Sequence, residues 1–178
     1  MNIFLIGYRC VGKTTVGQSI ARMMSRPFVD SDMLIVQESG QSIQKIVDAK
    51  GWDAFRLMER STLKKICKKD RQVVATGGGV VLDTGNVEEM KKTGIIVWLR
   101  ATTLTIAERI LQDENTENMR PALTGKGLKE EIEETILERN PYYENASHFF
   151  MNTNGIGVAE ISKTLIHKIK DTGMEDVI

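Results

Sequence analysis

Cysteine is scarce in this chain of 178 residues: Cys10 and Cys67 are the only two, and they form neither a metal-ligand spacing nor a redox pair. The two histidines, His148 and His167, stand far apart with no ligand pattern and read as packing or surface residues. There is no excess of either charge, since Lys+Arg and Asp+Glu number 24 each, so no global field points to nucleic acid or a membrane surface. No apolar run approaches transmembrane length. Met1 to Ile6 is too short for the apolar core of a secretion signal. The expectation is a cytoplasmic protein with reduced thiols. Cys10 falls near a helix start, where a thiol's pKa can drop, but it reads first as a small residue filling a loop.

What is present is an alternation of short apolar runs with helix-period segments. Ile3–Ile6, Phe28–Val29, Val73–Ala75, Ile95–Leu99 and Phe149–Met151 have the length and composition of buried strands. Between them, Ser42 caps a segment (Ile43, Ile46, Val47) that Gly51 can close, and a second runs from Trp52 to Cys67. Further helices are expected over Asn86–Lys92, Thr103–Leu111 and Lys129–Arg139, and around Val158, Ile161, Leu165 and Ile169. Such alternation predicts an α/β domain with a parallel sheet covered on both faces, one compact unit spanning residues 1–178. Ligands bind such sheets beyond the carboxyl ends of the strands, where Gly7, Asp30 and Thr76-Gly77 should meet.

Gly7-Tyr-Arg-Cys-Val-Gly12-Lys13-Thr14 follows the first strand and opens a helix-period segment containing Val16, Ile20, Met23 and Met24. Glycines let backbone N–H groups converge on phosphate oxygens. The helix N-terminus adds its dipole, Lys13 a full charge, and the Thr14 hydroxyl a ligand for Mg²⁺. The segment implies a nucleoside triphosphate site.

In many phosphate-loop enzymes an acid after the third strand helps to hold the metal. Here that strand ends in Thr76-Gly77-Gly78-Gly79, with no carboxylate. Asp30 and Asp32 supply acids at the end of the second strand. If that strand continues through both, residues i and i+2 face the crevice together. One would then hold metal-bound water and the other accept a proton from an attacking hydroxyl. Alternatively Asp32 caps a helix beginning at Met33, and the two roles are compatible. No guanine-reading signature is present, and Asp48-Ala-Lys-Gly51 lies in a helical segment rather than after a strand, so a switch GTPase is disfavoured. Three consecutive glycines, Gly77–Gly79, suit either close approach of backbone N–H groups to a substrate oxygen or a tight turn. From Gln112 to Gly127 the apolar periodicity lapses into a polar, Gly-containing stretch of a length that reads as either disordered or a mobile lid.

Together, Gly7–Thr14, Asp30-Ser-Asp32, Phe55-Arg56-Leu-Met-Glu59, Gly77-Gly-Gly79, Arg120-Pro121 and Arg139-Asn-Pro-Tyr-Tyr143 resemble the shikimate kinase family over nearly the whole chain. The resemblance implies a three-layer α/β/α P-loop kinase fold with a five-stranded parallel sheet, akin to the nucleoside monophosphate kinases. A substrate-binding helical segment would span residues 31–61 and a mobile lid 112–127. It also implies ATP-dependent phosphorylation of the shikimate 3-hydroxyl on the route to chorismate and the aromatic amino acids. In that pattern Cys10, Val11, Gly12, Lys13, Thr14 and Thr15 hold the ATP phosphates, and Arg109 lies over adenine. Mg²⁺ is bound by Thr14 and, through water, by Asp30. Asp32 binds the acceptor hydroxyls and acts as base. Arg56, Gly77, Gly78, Gly79 and Arg139 complete the substrate contacts, and Arg120 closes on the transferring phosphate.

Arginine forks suit the carboxylate of shikimate, each charge-assisted bond being worth about 1.5–3 kcal/mol. Glu59, three residues after Arg56, can fix that guanidinium. The chain departs from the family pattern at bulky Tyr8 and Arg9, at Ala122 where Leu is usual, and at Asn152–Gly157. A monomer acting on small molecules alone is expected. Phosphorylation of another acceptor such as gluconate, or non-catalytic binding of ATP and shikimate, are the alternatives.

Overall fold

Strand β1 (Asn2–Ile6) is wholly buried, with Ile3, Phe4, Leu5 and Ile6 each at 0% exposure, as happens when both faces of a sheet are covered. Each such side chain contributes about 1.5–3 kcal/mol. The computed structural model, which describes residues 1–112 and 127–173, sets β1 at the centre of a parallel sheet. The order is β2-β3-β1-β4-β5, with β2 at Phe28–Asp30, β3 at Val73–Ala75, β4 at Gly94–Arg100 and β5 at Phe149–Asn152. Leu5 is level with Ala75 and Val97, and Asp30 with Ala75, so the strands end together at one edge. The chain leaves β1 toward β2 on one side, and the connection after β3 crosses to β4 on the other, so that edge opens as a crevice.

Alternate residues of the strands feed two cores. Ile3, Leu5, Val73 and Val97 pack with α1 (Lys13–Met23), α5 (Thr103–Gln112) and α7 (Val158–Asp171). Phe4, Ile6, Val74 and Ile96 pack against α3 (Ile43–Cys67), α4 (Thr84–Thr93) and α6 (Leu128–Ala146) on the opposite face. A third, smaller core of Ile35, Ile43, Ile46 and Phe55 joins α2 (Ser31–Ser39) to the first half of α3. The three-layer α/β/α expectation and all five strand positions are met. Among the described residues no helix is long and apolar enough to cross a membrane.

Two local expectations need correction. Extended backbone stops at Asp30 rather than running through Asp32, because the Asp30 side chain caps α2: its Oδ1 accepts from the N–H groups of Asp32 (3.1 Å) and Met33 (3.3 Å). Asp32 therefore stands in the first turn of a helix, and the cap is Asp30. Helix α6 does not stop at Arg139 but continues through Pro141 to Ala146, where buried Tyr143 and Ala146 join the core under β4. Tertiary burial outweighs the one hydrogen bond that proline removes. Ser42 caps α3 as expected, accepting from the Lys45 N–H at 3.3 Å, and Gly51 breaks that helix with φ 77°.

At the other end of the sheet Asn2, at 0% exposure, acts as a polar clasp. Its Nδ2 donates to the Lys69 carbonyl (2.8 Å), and its Oδ1 accepts from the Gln72 backbone N–H (2.9 Å). Replacing it leaves the buried Gln72 N–H without its partner, at about 1–3 kcal/mol, and removes the bond to the Lys69 carbonyl, about 0.5–1.5 kcal/mol more. Asn2→Ala should lower the unfolding free energy by about 2–4 kcal/mol, read as a shifted urea midpoint at unchanged slope.

Candidate active site

The phosphate loop begins where β1 ends, and its backbone is unusual throughout. Gly7 (φ 135°), Cys10 (φ 58°) and Gly12 (φ 99°) all have positive φ. A Cβ on Gly7 would overlap the Leu99 carbonyl, so only glycine allows the loop to lie this close to β4. Gly12 precedes α1 without a side-chain cap, leaving the helix N-terminus open to an anion. Lys13, only 8% exposed, donates from Nζ to the carbonyls of Gly7 (2.7 Å) and Tyr8 (2.8 Å). Cys10, Val11, Gly12, Lys13, Thr14 and Thr15 line one pocket together with Arg109, Thr153 and Ile156.

A second pocket lies on the other side of Lys13 and Thr14, which line both. Its wall contains Asp30, Asp32, Arg56, Gly77, Gly78, Gly79 and Arg139, so those sequence-predicted residues do converge. The Thr14 hydroxyl donates to Asp30 Oδ2 at 2.9 Å, setting two hard oxygen donors side by side in the wall of the second pocket, at Thr14, which both pockets share. Arg120 lies outside the described residues, as does nearly all of the expected lid.

The glycine run is explained by what stands against it. A Cβ on Gly77 would come within 2.6 Å of Glu59 Oε1 and 2.7 Å of Asp32 Oδ1. One on Gly79 would overlap the guanidinium of Arg56. The run thus makes room for three charged side chains. Its N–H groups are not all turned to the crevice, because that of Gly77 donates to Ser31 Oγ (3.1 Å). The Gly78 carbonyl accepts from Tyr143 Oη (2.5 Å) and Arg139 Nη1 (3.4 Å).

Arg56 is held on three sides. Its Nη1 donates to Glu59 Oε2 at 2.7 Å, and the guanidinium stands 5.4 Å from the Trp52 ring centre and 5.3 Å from that of Phe55. Glu59 is 1% exposed, and its Oε1 has no hydrogen-bond partner among the described residues. Burial pushes its carboxyl up to about 7; Arg56 opposes that rise, Asp32 adds to it and Arg139 offsets it. Burial likewise raises the Tyr143 phenol.

Several residues of the site were not singled out from sequence. Tyr8 and Arg9, noted only as bulky, line the second pocket, and Arg9 makes a buried ion pair with Glu131 at the start of α6. Trp52 is an ordinary core aromatic by pattern, and Phe55 and Tyr143 stand only within the quoted motifs, with no role assigned to them. Thr153 is 1% exposed within a polar loop, and nothing in its local sequence marks it.

A loop of this kind opening onto a second, arginine-lined pocket defines a P-loop kinase of small molecules. The family model described as shikimate kinase matches residues 9–170. A shikimate kinase of Syntrophus aciditrophicus is 40% identical over 95% of this chain and 91% of its own length. Shikimate kinase 2 of Yersinia enterocolitica is 35% identical over 95% of each chain. The structure of a shikimate kinase from Acinetobacter baumannii in complex with shikimate superimposes with a TM-score of 0.90, at 29% identity over 97% of this chain and 94% of that one. The chain belongs to the shikimate kinase family.

Glu59 should titrate near pH 7 in a carbon-13 NMR titration of labelled carboxyls, and the resonance should be absent in Glu59→Gln. Because Arg56 stabilises the ionised form, Arg56→Ala should move the titration upward; a downward move would contradict the burial argument.

Proposed function

We propose that the protein transfers the γ-phosphoryl group of ATP to the 3-hydroxyl of shikimate. Membership of the family supports the reaction, and one observation carries it to this site: two pockets share Lys13 and Thr14, one walled by the phosphate loop and one by a set of acids and arginines that includes Asp32, Arg56 and Arg139. We read the first as the donor half, with Cys10 to Thr15 around the phosphates and Arg109 against adenine. The second is the acceptor half, within a single domain, and residues 31–61 supply much of its wall.

Shikimate bears one carboxylate and three hydroxyls. Arg56 and Arg139 can bond the carboxylate, while Gly77, Gly78 and Gly79 let the ring come close to backbone. Asp32, in the first turn of α2, accepts the proton of the 3-hydroxyl as its oxygen bonds to phosphorus and the bond to ADP breaks. Lys13 stays beside the phosphates throughout and offsets their charge. Arg120, read from sequence alone, would add a further positive charge.

Mg²⁺ fits the donor set of Thr14 and Asp30. It takes one or two protein oxygens, keeps several waters and draws its other ligands from phosphates. When bound it would neutralise charge on the phosphates. Asp30 would meet it through water, since its Oδ1 is engaged as the cap of α2. We place the protein in the cytoplasm, as a monomer.

A coupled assay tests the whole reading. Purified protein with Mg-ATP should release ADP only when shikimate is added, and faster turnover of gluconate would overturn the assignment. Asp32→Asn should lower kcat by about 10²-fold or more while ATP affinity stays within about twofold. Gly79→Ala displaces the Arg56 guanidinium, so the KM for shikimate should rise about 10- to 100-fold, as expected for one lost charge-assisted bond. The KM for ATP should stay constant in that variant.

A further inference from the structure

Thr153 sits just beyond β5, yet its hydroxyl reaches back to the phosphate loop. Its one hydroxyl proton is shared between the carbonyls of Val11 (3.1 Å) and Arg100 (3.2 Å), and its oxygen accepts from Arg109 Nη1 (3.1 Å). Its own carbonyl accepts from Arg109 Nη2 at 2.8 Å. Nη1 of Arg109 also donates to the Cys10 carbonyl at 3.2 Å. The backbone N–H of Thr153 donates separately to Arg100 at 2.8 Å, so the join between β4 and β5 does not need the hydroxyl. That hydroxyl has one proton and two lone pairs, and this network uses both kinds.

The consequence follows from peptide planarity. In a trans peptide the C=O and the N–H of one unit point in opposite directions. Holding the carbonyls of Cys10 and Val11 therefore fixes the N–H groups of Val11 and Gly12, turning them away from the clasp and into the loop. Cys10 needs such support, because its φ of 58° places an L-residue in the left-handed region. That conformation is unfavourable for an L-residue and persists only where surroundings impose it.

We infer that Thr153, acting with Arg109, is a positioning residue for the donor: it orients the phosphate-loop amides that take up the polyphosphate of the nucleotide. The inference rests on the reading of this loop as the nucleotide site. It assigns Thr153 a task separate from any contact with adenine, because the groups it controls face phosphate.

Thr153→Val keeps the side-chain shape and removes the hydroxyl, whereas Thr153→Ser keeps the hydroxyl. Calorimetric titration with ADP should show about tenfold weaker binding in Thr153→Val, the loss of one modest hydrogen-bonding unit. Thr153→Ser should stay within about twofold of the parent protein. AMP, measured by competition, should bind both variants equally well, and the KM for shikimate should not change. Unaltered ADP affinity in a folded Thr153→Val, or equal losses for ADP and AMP, overturns the inference. If Thr153→Val does not fold, Thr153→Ala is read by the same two ligands. Calorimetry with ADP requires no turnover, so a failure of the shikimate assignment remains distinguishable.

Discussion

Much of this site depends on the Asp30 carboxylate, which serves two helices at once. Oδ2 takes the Thr14 hydroxyl from the first turn of α1, and Oδ1 takes two N–H groups from the first turn of α2. A negative charge is favourable at each helix start, and here one charge satisfies both. Asp30 itself ends an edge strand level with Ala75 of β3, so its position is set by the sheet. The donor side of the site and Asp32 are thereby spaced by one side chain anchored in rigid backbone. Such anchoring suits phosphoryl transfer, in which positioning supplies most of the catalysis.

The acceptor half is built by leaving atoms out. Glu59, Asp32 and Arg56 are charged groups brought against one backbone segment, and the space for them is the space that side chains at positions 77 and 79 would have filled. Burying charge is costly unless partners are close. Arg56 answers this with a carboxylate and two aromatic faces, while Glu59 answers it only in part, which is why burial pushes its carboxyl up to about 7. Across the pocket, Arg9 and Glu131 form a second buried pair, binding the phosphate loop to the first turn of α6. The pocket is thus lined by charges paired within α3 and between the phosphate loop and α6, a design that favours a small polar anion over an apolar ligand.

How much of this could be read in advance varied with the range of the interaction. Strand positions, the Ser42 cap and the break at Gly51 all follow from patterns a few residues long, and they were legible. The exchange of roles between Asp30 and Asp32 was not, because both acids fit a cap and only the sheet register decides where the strand stops. Gly77 to Gly79 stood out as glycines, but their reason lies in side chains from α2 and α3, which no local pattern reports. Tyr143 was masked by Pro141, whose usual effect is to end a helix. Thr153 lies 142 residues from the carbonyl it holds, and a polar residue among polar neighbours carries no periodic signal at all.

That distance bears on how the phosphate loop functions. Of the five carbonyls from Gly7 to Val11, four are held by side chains: Gly7 and Tyr8 by Lys13, Cys10 by Arg109 and Val11 by Thr153. A loop with three positive-φ residues has little intrinsic preference for one conformation, so these bonds substitute for the regular ladder that a helix or strand would provide. Lys13 gains as well, since the carbonyl dipoles of Gly7 and Tyr8 offset the loss of hydration around a charge that is 8% exposed. Binding a polyphosphate then requires little rearrangement, because the peptide planes are already turned. Electrostatic stabilisation by fixed dipoles is strongest when they need not reorient during the reaction. On this reading the glycines permit the shape of the loop, and side chains from α1, α5 and the segment after β5 impose it.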